Sequence, residues 1–192
     1  MIFQVSVVGF TVKRQEYEKE MVRNMKRKWF IASLLAVASL AASAQAGLKR
    51  VYDEDINPVE QIELSLVRAK ADGKFVVCQV GGNWCPWCLR FADFIASDST
   101  ISRLIADNFV YAHVNYNPGK AEGEVRTRQA EEVMRRLGNP GRFGFPVFVV
   151  LDENGRVLHT QDSSFLEEGK GYSQEKTLRF FKNWTPGAVR GK

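Results

Sequence analysis

The sequence predicts an α/β domain with a central mixed β-sheet of about four to five strands flanked by helices. Three observations point there. After one leading helix, strand-like and helix-like segments follow in the order β-α-β-α-β-β-α. The run Phe75-Val76-Val77-Cys78-Gln79-Val80 is nearly continuous in apolar residues, as a strand buried on both faces should be. Where that run gives way to a helix stands Trp84-Cys85-Pro86-Trp87-Cys88, two cysteines two residues apart.

Taken in order, Asn57-Pro58 opens an amphipathic stretch with Ile62, Leu66 and Ala69 near one face. Gly73 closes it, which predicts a helix over 58–71. The central strand covers 74–80, and Gly81-Gly82-Asn83 forms the loop that carries the cysteines. The next helix, beginning near Cys88, offers Phe91, Phe94 and Ile95 to the core, and a second helical piece covers 99–107. Residues 109–115 read as another strand. Residues 124–137 read as a helix ended by Gly138, with Pro140 two residues on. Its charges suggest the i,i+4 pairs Glu131–Arg135 and Glu132–Arg136. An apolar strand containing Pro146 covers 144–150, and an Asn154-Gly155 turn joins it to a strand at 156–161. A polar loop over 162–172 leads to Ser173, the N-cap of a last helix ending near Trp184. No internal repeat, low-complexity tract or second domain is visible.

Ahead of the domain, Met25-Lys26-Arg27-Lys28, the apolar run 29–42 and Ala44-Gln45-Ala46 form a basic n-region, a short h-region and a small-x-small cleavage site. The run is about fourteen residues, short for a membrane span of ~20. No cysteine follows the small residues to carry a lipid. A secretory signal peptide is therefore expected over 25–46, with Gly47 the first mature residue. Its destination is across an inner membrane, in the periplasm, and the chain touches the membrane only through the leader before cleavage. Residues 1–24, with Glu16, Glu18 and Glu20, suit an n-region poorly. They are expected to be an over-called start, translation beginning at Met25 or Met21, or else an extended n-region. Residues 47–56 form a short N-terminal segment and the domain covers 57–192.

The charge balance changes once the leader is set aside. The chain holds 27 Lys/Arg and 22 Asp/Glu, of which residues 1–46 carry seven and three, leaving 20 and 19. The formal +5 of the full chain belongs largely to the leader, and no basic stripe remains to argue for nucleic acid. The remaining 146 residues suffice for one well-cored domain.

Three cysteines are few for a disulfide scaffold, and two of them form the CxxC. Cys78, in mid-strand, reads as a buried small hydrophobe. Zinc needs about four ligands, whereas one CxxC supplies two and no second CxxC or paired histidines exist. Covalent haem needs a histidine directly after the second cysteine, and Leu89 is there. No metal and no cofactor are expected beyond a redox-active Cys85–Cys88 disulfide. Cys85, at or just before a helix start, would meet unpaired N–H groups and the positive end of the helix dipole, which favour a thiolate. Pro86 suits a first-turn position, which has no intrahelical use for an N–H. Cys88, one turn further in, would be placed to attack a mixed disulfide held on Cys85.

With Gly144-Phe145-Pro146-Val147-Phe148-Val149-Val150 and Asp152-Glu153-Asn154-Gly155 downstream, this segment resembles the thioredoxin superfamily over roughly residues 57–184. The resemblance implies that fold, with Cys85 as nucleophile and Cys88 as resolving thiol. It implies a cis-proline at Pro146 facing the dithiol, and a substrate surface formed with Trp84, Pro86, Trp87 and Phe145. Phe145 would offer backbone hydrogen bonds to an extended substrate segment. One departure stands out. The buried aspartate that typical thioredoxins place six residues before the nucleophile is Gln79 here, and the lysine of the neighbouring strand is His113. The expectation is an amide–imidazole pair in which His113, with an ordinary pKa of ~6.5, relays a proton for Cys88 through Gln79 or a water.

The resemblance further implies a monomer exchanging disulfides with protein thiols and disulfides, recharged by an unidentified redox partner and leaning toward reduction. The Pro-Trp dipeptide matches neither the Gly-Pro of reducing thioredoxins nor the Pro-His of strong oxidases. Three rivals stay open: a disulfide-forming oxidase, a redox-inactive thioredoxin-like binding or chaperone module, and a carrier delivering electrons to one dedicated partner.

Overall fold

The strand expected at the centre is β1 (Phe75–Gly81), and each of its residues is buried. The structure is a computed structural model that describes residues 47–117 and 123–191, so the expected start site and signal peptide lie outside the described residues. β1 is flanked in the order β2-β1-β3-β4, where β2 is Phe109–Asn115, β3 is Val147–Leu151 and β4 is Val157–Asp162. β2 runs parallel to β1, while β3 and β4 run antiparallel to their neighbours, giving a four-stranded mixed sheet. Helices cover both faces: α1 (Pro58–Asp72), α2 (Pro86–Ser97), α3 (Ser99–Asn108), α4 (Glu124–Arg136), α5 (Gln174–Asn183) and the short α6 (Pro186–Arg190).

Because side chains alternate along a strand, β1 feeds two cores. Val76, Cys78 and Val80 pack with Ile62, Leu66 and Ala69 of α1 and Val133 and Met134 of α4. Phe75 and Val77 pack on the other face with Phe91, Ile95, Ile101, Ile105 and Phe181. Full burial of each such aromatic or aliphatic side chain is worth roughly 1.5–3 kcal/mol. Gln79 shares this second face by the same alternation. It is a polar side chain in a position that the pattern assigns to the core.

The helix boundaries follow from local chemistry. Asn57 caps α1, its side-chain oxygen accepting from the Val59 N–H at 2.9 Å, and Gly73 ends the helix in the left-handed region at φ 67°. Asp98 caps α3 through bonds to the Thr100 and Ile101 N–H groups. In the β3–β4 turn the Asp152 carboxylate accepts from the Asn154 and Arg156 N–H groups, and Gly155 supplies a positive φ of 79°.

Several boundaries differ from expectation. β3 begins at Val147 rather than 144, because Pro140–Phe143 forms a 3-10 turn and Pro146, lacking an N–H, stays outside the ladder. The polar loop after β4 holds a 3-10 turn, Ser163–Leu166, and a two-residue-per-strand hairpin, β5 (Glu167–Glu168) with β6 (Gly171–Tyr172). Arg136 does not pair with Glu132; it reaches Glu63 of α1 at 3.2 Å and the Gly155 carbonyl at 2.9 Å. Those contacts tie α4 to α1 and to the β3–β4 turn. Among the described residues, no helix is long and apolar enough to cross a membrane.

Candidate active site

Cys85 is the N-cap of α2, in extended backbone at φ −101° and ψ 105°, with Pro86 in the first turn. Its sulfur accepts from the Cys88 N–H at 3.2 Å, so an otherwise unpaired donor of the helix start points at it. Cys85 and Cys88 are joined in a disulfide with their Cα atoms 5.3 Å apart. Cys85 is 5% exposed and Cys88 fully buried. The third cysteine, Cys78, is free and fully buried, and burial pushes its thiol up to about 12.

Two segments complete the rim. The Phe145–Pro146 peptide is cis, and the Phe145 carbonyl oxygen lies 3.7 Å from Cys85 Sγ. Trp84 is about half exposed and sets its ring edge-on to Phe145 at 5.6 Å, while its indole N–H donates to the Tyr116 carbonyl at 3.0 Å. Tyr116 in turn stacks on Phe145 at 5.0 Å. Trp87 is half-buried rather than free, edge-on to Tyr172 with the Arg90 guanidinium 5.1 Å above its ring. Pro86 is exposed and Pro146 buried. Among the described residues, no group of three or more His, Cys, Asp or Glu is arranged to hold a metal.

Gln79 is fully buried and fully engaged. Its Nε2 donates to Tyr52 Oη at 2.7 Å and to the Cys88 carbonyl at 2.9 Å, and its Oε1 accepts from the Tyr111 hydroxyl at 2.7 Å. The strand register places His113 beside it, but the expected link between them is not made. The two tyrosines and the Cys88 carbonyl occupy the amide. His113 packs edge-on against the Tyr52 and Tyr111 rings, and its Nε2 is buried without a partner.

Burial also lowers the His113 pKa to about 4, which leaves the ring uncharged at neutral pH. As pH falls, the unfolded chain takes up this proton first, at its ordinary ~6.5. Stability is therefore fully present above about pH 6.5 and is lost as pH falls toward about 4, by roughly 2–3 kcal/mol. His113→Gln should flatten that slope, which urea unfolding at neutral and mildly acidic pH will show. An unchanged slope would place the loss on other groups.

Sequence reasoning missed the residues that surround Cys88. Tyr52 and Gly81 lie against Cys88, while Asn83 holds Tyr52, Tyr111 bonds Gln79 and Tyr172 bonds the Trp87 carbonyl; none carries a motif, although the Gly81-Gly82 doublet after a strand is the signature of a close approach. A Cβ on Gly81 would overlap Cys88 Sγ, and one on Gly82 would overlap the Trp84 ring.

Fold and site together define an α/β protein that presents a cysteine pair at the start of a helix, beside a cis-proline loop. Residues 62–163, 102 of the 192, match the family model of the thioredoxin-like domain, and the chain belongs to that family. With its Cys85–Cys88 pair it is a thiol–disulfide oxidoreductase. Among solved structures, the disulphide isomerase from Xylella fastidiosa Temecula1 is similar at a TM-score of 0.57 and 23% identity, over 71% of this chain and 98% of that one. A thioredoxin from Thermus thermophilus is similar at 0.48 and 23% identity, over 76% and 95%. A DsbH oxidoreductase is similar at 0.45 and 19%, over 72% and 87%. At these identities the likeness speaks to fold. No curated protein matches the sequence.

Proposed function

We propose that this protein is exported and reduces disulfides in protein substrates, and that a separate redox partner returns its own disulfide to the dithiol. The Cys85 thiolate attacks a substrate disulfide; a Cys85–substrate bond forms and one substrate sulfur leaves as a thiolate. Cys88 then attacks Cys85, the Cys85–Cys88 bond forms, and the second substrate sulfur leaves. Two electrons pass from the dithiol to the substrate. The lean toward reduction follows the family's balance alone; the observation that supports disulfide exchange here is the placement of Cys85 Sγ, capping α2 and 3.7 Å from the Phe145 carbonyl. Around it, Trp84, Phe145 and Tyr116 form an aromatic surface suited to an extended polypeptide, and Pro86, Trp87 and Pro146 complete the approach.

The test combines a potential with a trap. A reductase is expected to have a Cys85–Cys88 potential near about −270 mV, as thioredoxins have, and Cys88→Ser should capture substrate proteins as mixed disulfides. A potential near about −120 mV would make it an oxidase. No capture and no turnover would make it a binding module. Export predicts a mature protein beginning at Gly47 in the extracytoplasmic fraction.

A further inference from the structure

Tyr52 lies on a segment with no regular structure ahead of α1, yet it is 4% exposed and packs with Cys85, Cys88 and Leu89. Asn83, in the loop that leads to the cysteines, holds it there. The Asn83 side-chain oxygen accepts from the Val51 and Tyr52 N–H groups at 3.1 and 3.2 Å, and its Nδ2 donates to the Tyr52 carbonyl at 2.8 Å. The Tyr52 ring stands edge-on to His113 at 5.5 Å, and its hydroxyl accepts from Gln79. A phenol carries one hydrogen and can accept besides. Accepting from Gln79 leaves that hydrogen to donate, and among the described residues no acceptor takes it. Gly81 locates the hydroxyl relative to the sulfur: a Cβ there would come within 3.0 Å of Tyr52 Oη while overlapping Cys88 Sγ. Hydroxyl and sulfur both lie beside the same bare α-carbon.

We propose that the Tyr52 hydroxyl donates a hydrogen bond to the Cys88 sulfur once that sulfur is released from the disulfide, and so sustains the thiolate that resolves the mixed disulfide. The proposal rests on the exchange reaction above and deepens it. In the resolving step the Cys88 thiol gives its proton to solvent, and its thiolate attacks Cys85 Sγ. The Cys85–substrate bond breaks and the departing substrate thiolate takes a proton from water. A thiolate at a fully buried position is costly without a partner; the thiol of Cys78, in apolar surroundings, shows how far burial alone moves such a group. A charge-assisted hydrogen bond offsets that cost.

Among the described residues no buried carboxylate or ammonium is there to do so. Among the described residues the one buried charged side chain is Asp152, in the turn between β3 and β4. Among the described residues, the titratable and charged groups recorded around the pair are Tyr52 and, through Asn83, Glu54 from the N-terminal segment, Arg90 over Trp87 on α2, Tyr111 and His113 from β2, and Tyr172 from β6. Burial holds all three phenols protonated well above the ordinary tyrosine value, so Tyr52 remains a donor. The imidazole of His113 is neutral at working pH and has no hydrogen bond to the network.

Tyr52→Phe keeps the ring and its contact with His113 and removes only the hydroxyl. With a chromogenic aryl thiol loaded on Cys85 as the mixed disulfide, its release by Cys88 should be about tenfold or more slower than in the unaltered protein. Alkylation of Cys85 in the reduced protein at neutral pH should stay within about twofold. In a Cys85→Ser background, the ultraviolet absorbance of the Cys88 thiolate should appear with a midpoint about one pH unit higher in Tyr52→Phe. Tyr111→Phe removes the other phenol from Gln79 without touching the sulfur and should leave release within about twofold. Release at the unaltered rate in Tyr52→Phe, or equal slowing in both variants, would overturn the assignment. A protein that forms no mixed disulfide at all would overturn the exchange reading itself, and this proposal with it.

Discussion

Cys85→Ser is expected to abolish disulfide exchange, lowering turnover of a protein disulfide by at least about 10³-fold while leaving the domain folded. Exchange needs a sulfur nucleophile at this position, and removing the attacking atom of a covalent mechanism costs orders of magnitude that neighbouring groups do not recover. Folding should survive because serine is among the best N-cap residues, and Cys85 is the cap of α2, accepting from the Cys88 N–H. The contrast with Cys88→Ser is the informative part. That variant keeps the attacking sulfur and loses the resolving one, so it should form mixed disulfides rapidly and fail to release them. Turnover assays with mass analysis of trapped adducts check both. Persistent exchange in Cys85→Ser would mean that Cys88 attacks directly, which its complete burial opposes.

Gly81→Ala is expected to destabilise the protein by about 2–3 kcal/mol and to disturb the disulfide, although it adds a single methyl group. Overpacking a well-filled interior typically costs about 1–3 kcal/mol, and here the methyl has no room to move. Gly81 is the buried last residue of β1, and its carbonyl accepts from the Tyr116 N–H at 2.6 Å. The methyl would overlap Cys88 Sγ and press on the Tyr52 hydroxyl. Relief requires moving the strand end, the sulfur or Tyr52, each of which belongs to the site. Gly171→Ala is the control, since nothing lies within 4 Å of a Cβ there and its φ is not positive. It should change stability by less than about 0.5 kcal/mol. Denaturant midpoints of the two variants give the comparison, and equal stability would show that the strand end yields freely.

Much of the fold was legible because it is written in short-range patterns. The cap and stop of α1, the apolar run of β1 and the Asn154-Gly155 turn each depend on residues within a few positions of one another. The strand limits near Pro146 were less legible. An apolar run does not say which residues join the ladder, and a proline without an N–H sets the start of β3 later than its apolar residues suggest. The expected ion pair between Glu132 and Arg136 failed for a related reason. A helix surface offers i,i+4 partners, but a neighbouring helix and turn offered Arg136 better-placed acceptors, Glu63 and the Gly155 carbonyl.

The site divides along the same line. The amino-acid sequence by itself picked out the cysteine pair and its place, since two cysteines separated by Pro-Trp at a strand-to-helix junction place one sulfur on the cap and the other a turn inside. It also showed that no carboxylate stands at position 79. What takes the place of that carboxylate was decided only in three dimensions. Gln79 is satisfied by Tyr52, Tyr111 and the Cys88 carbonyl, groups brought together from an N-terminal segment, a parallel strand and a helix. The partners of a buried polar group are set by where distant stretches of chain cross, and no local periodicity encodes that crossing.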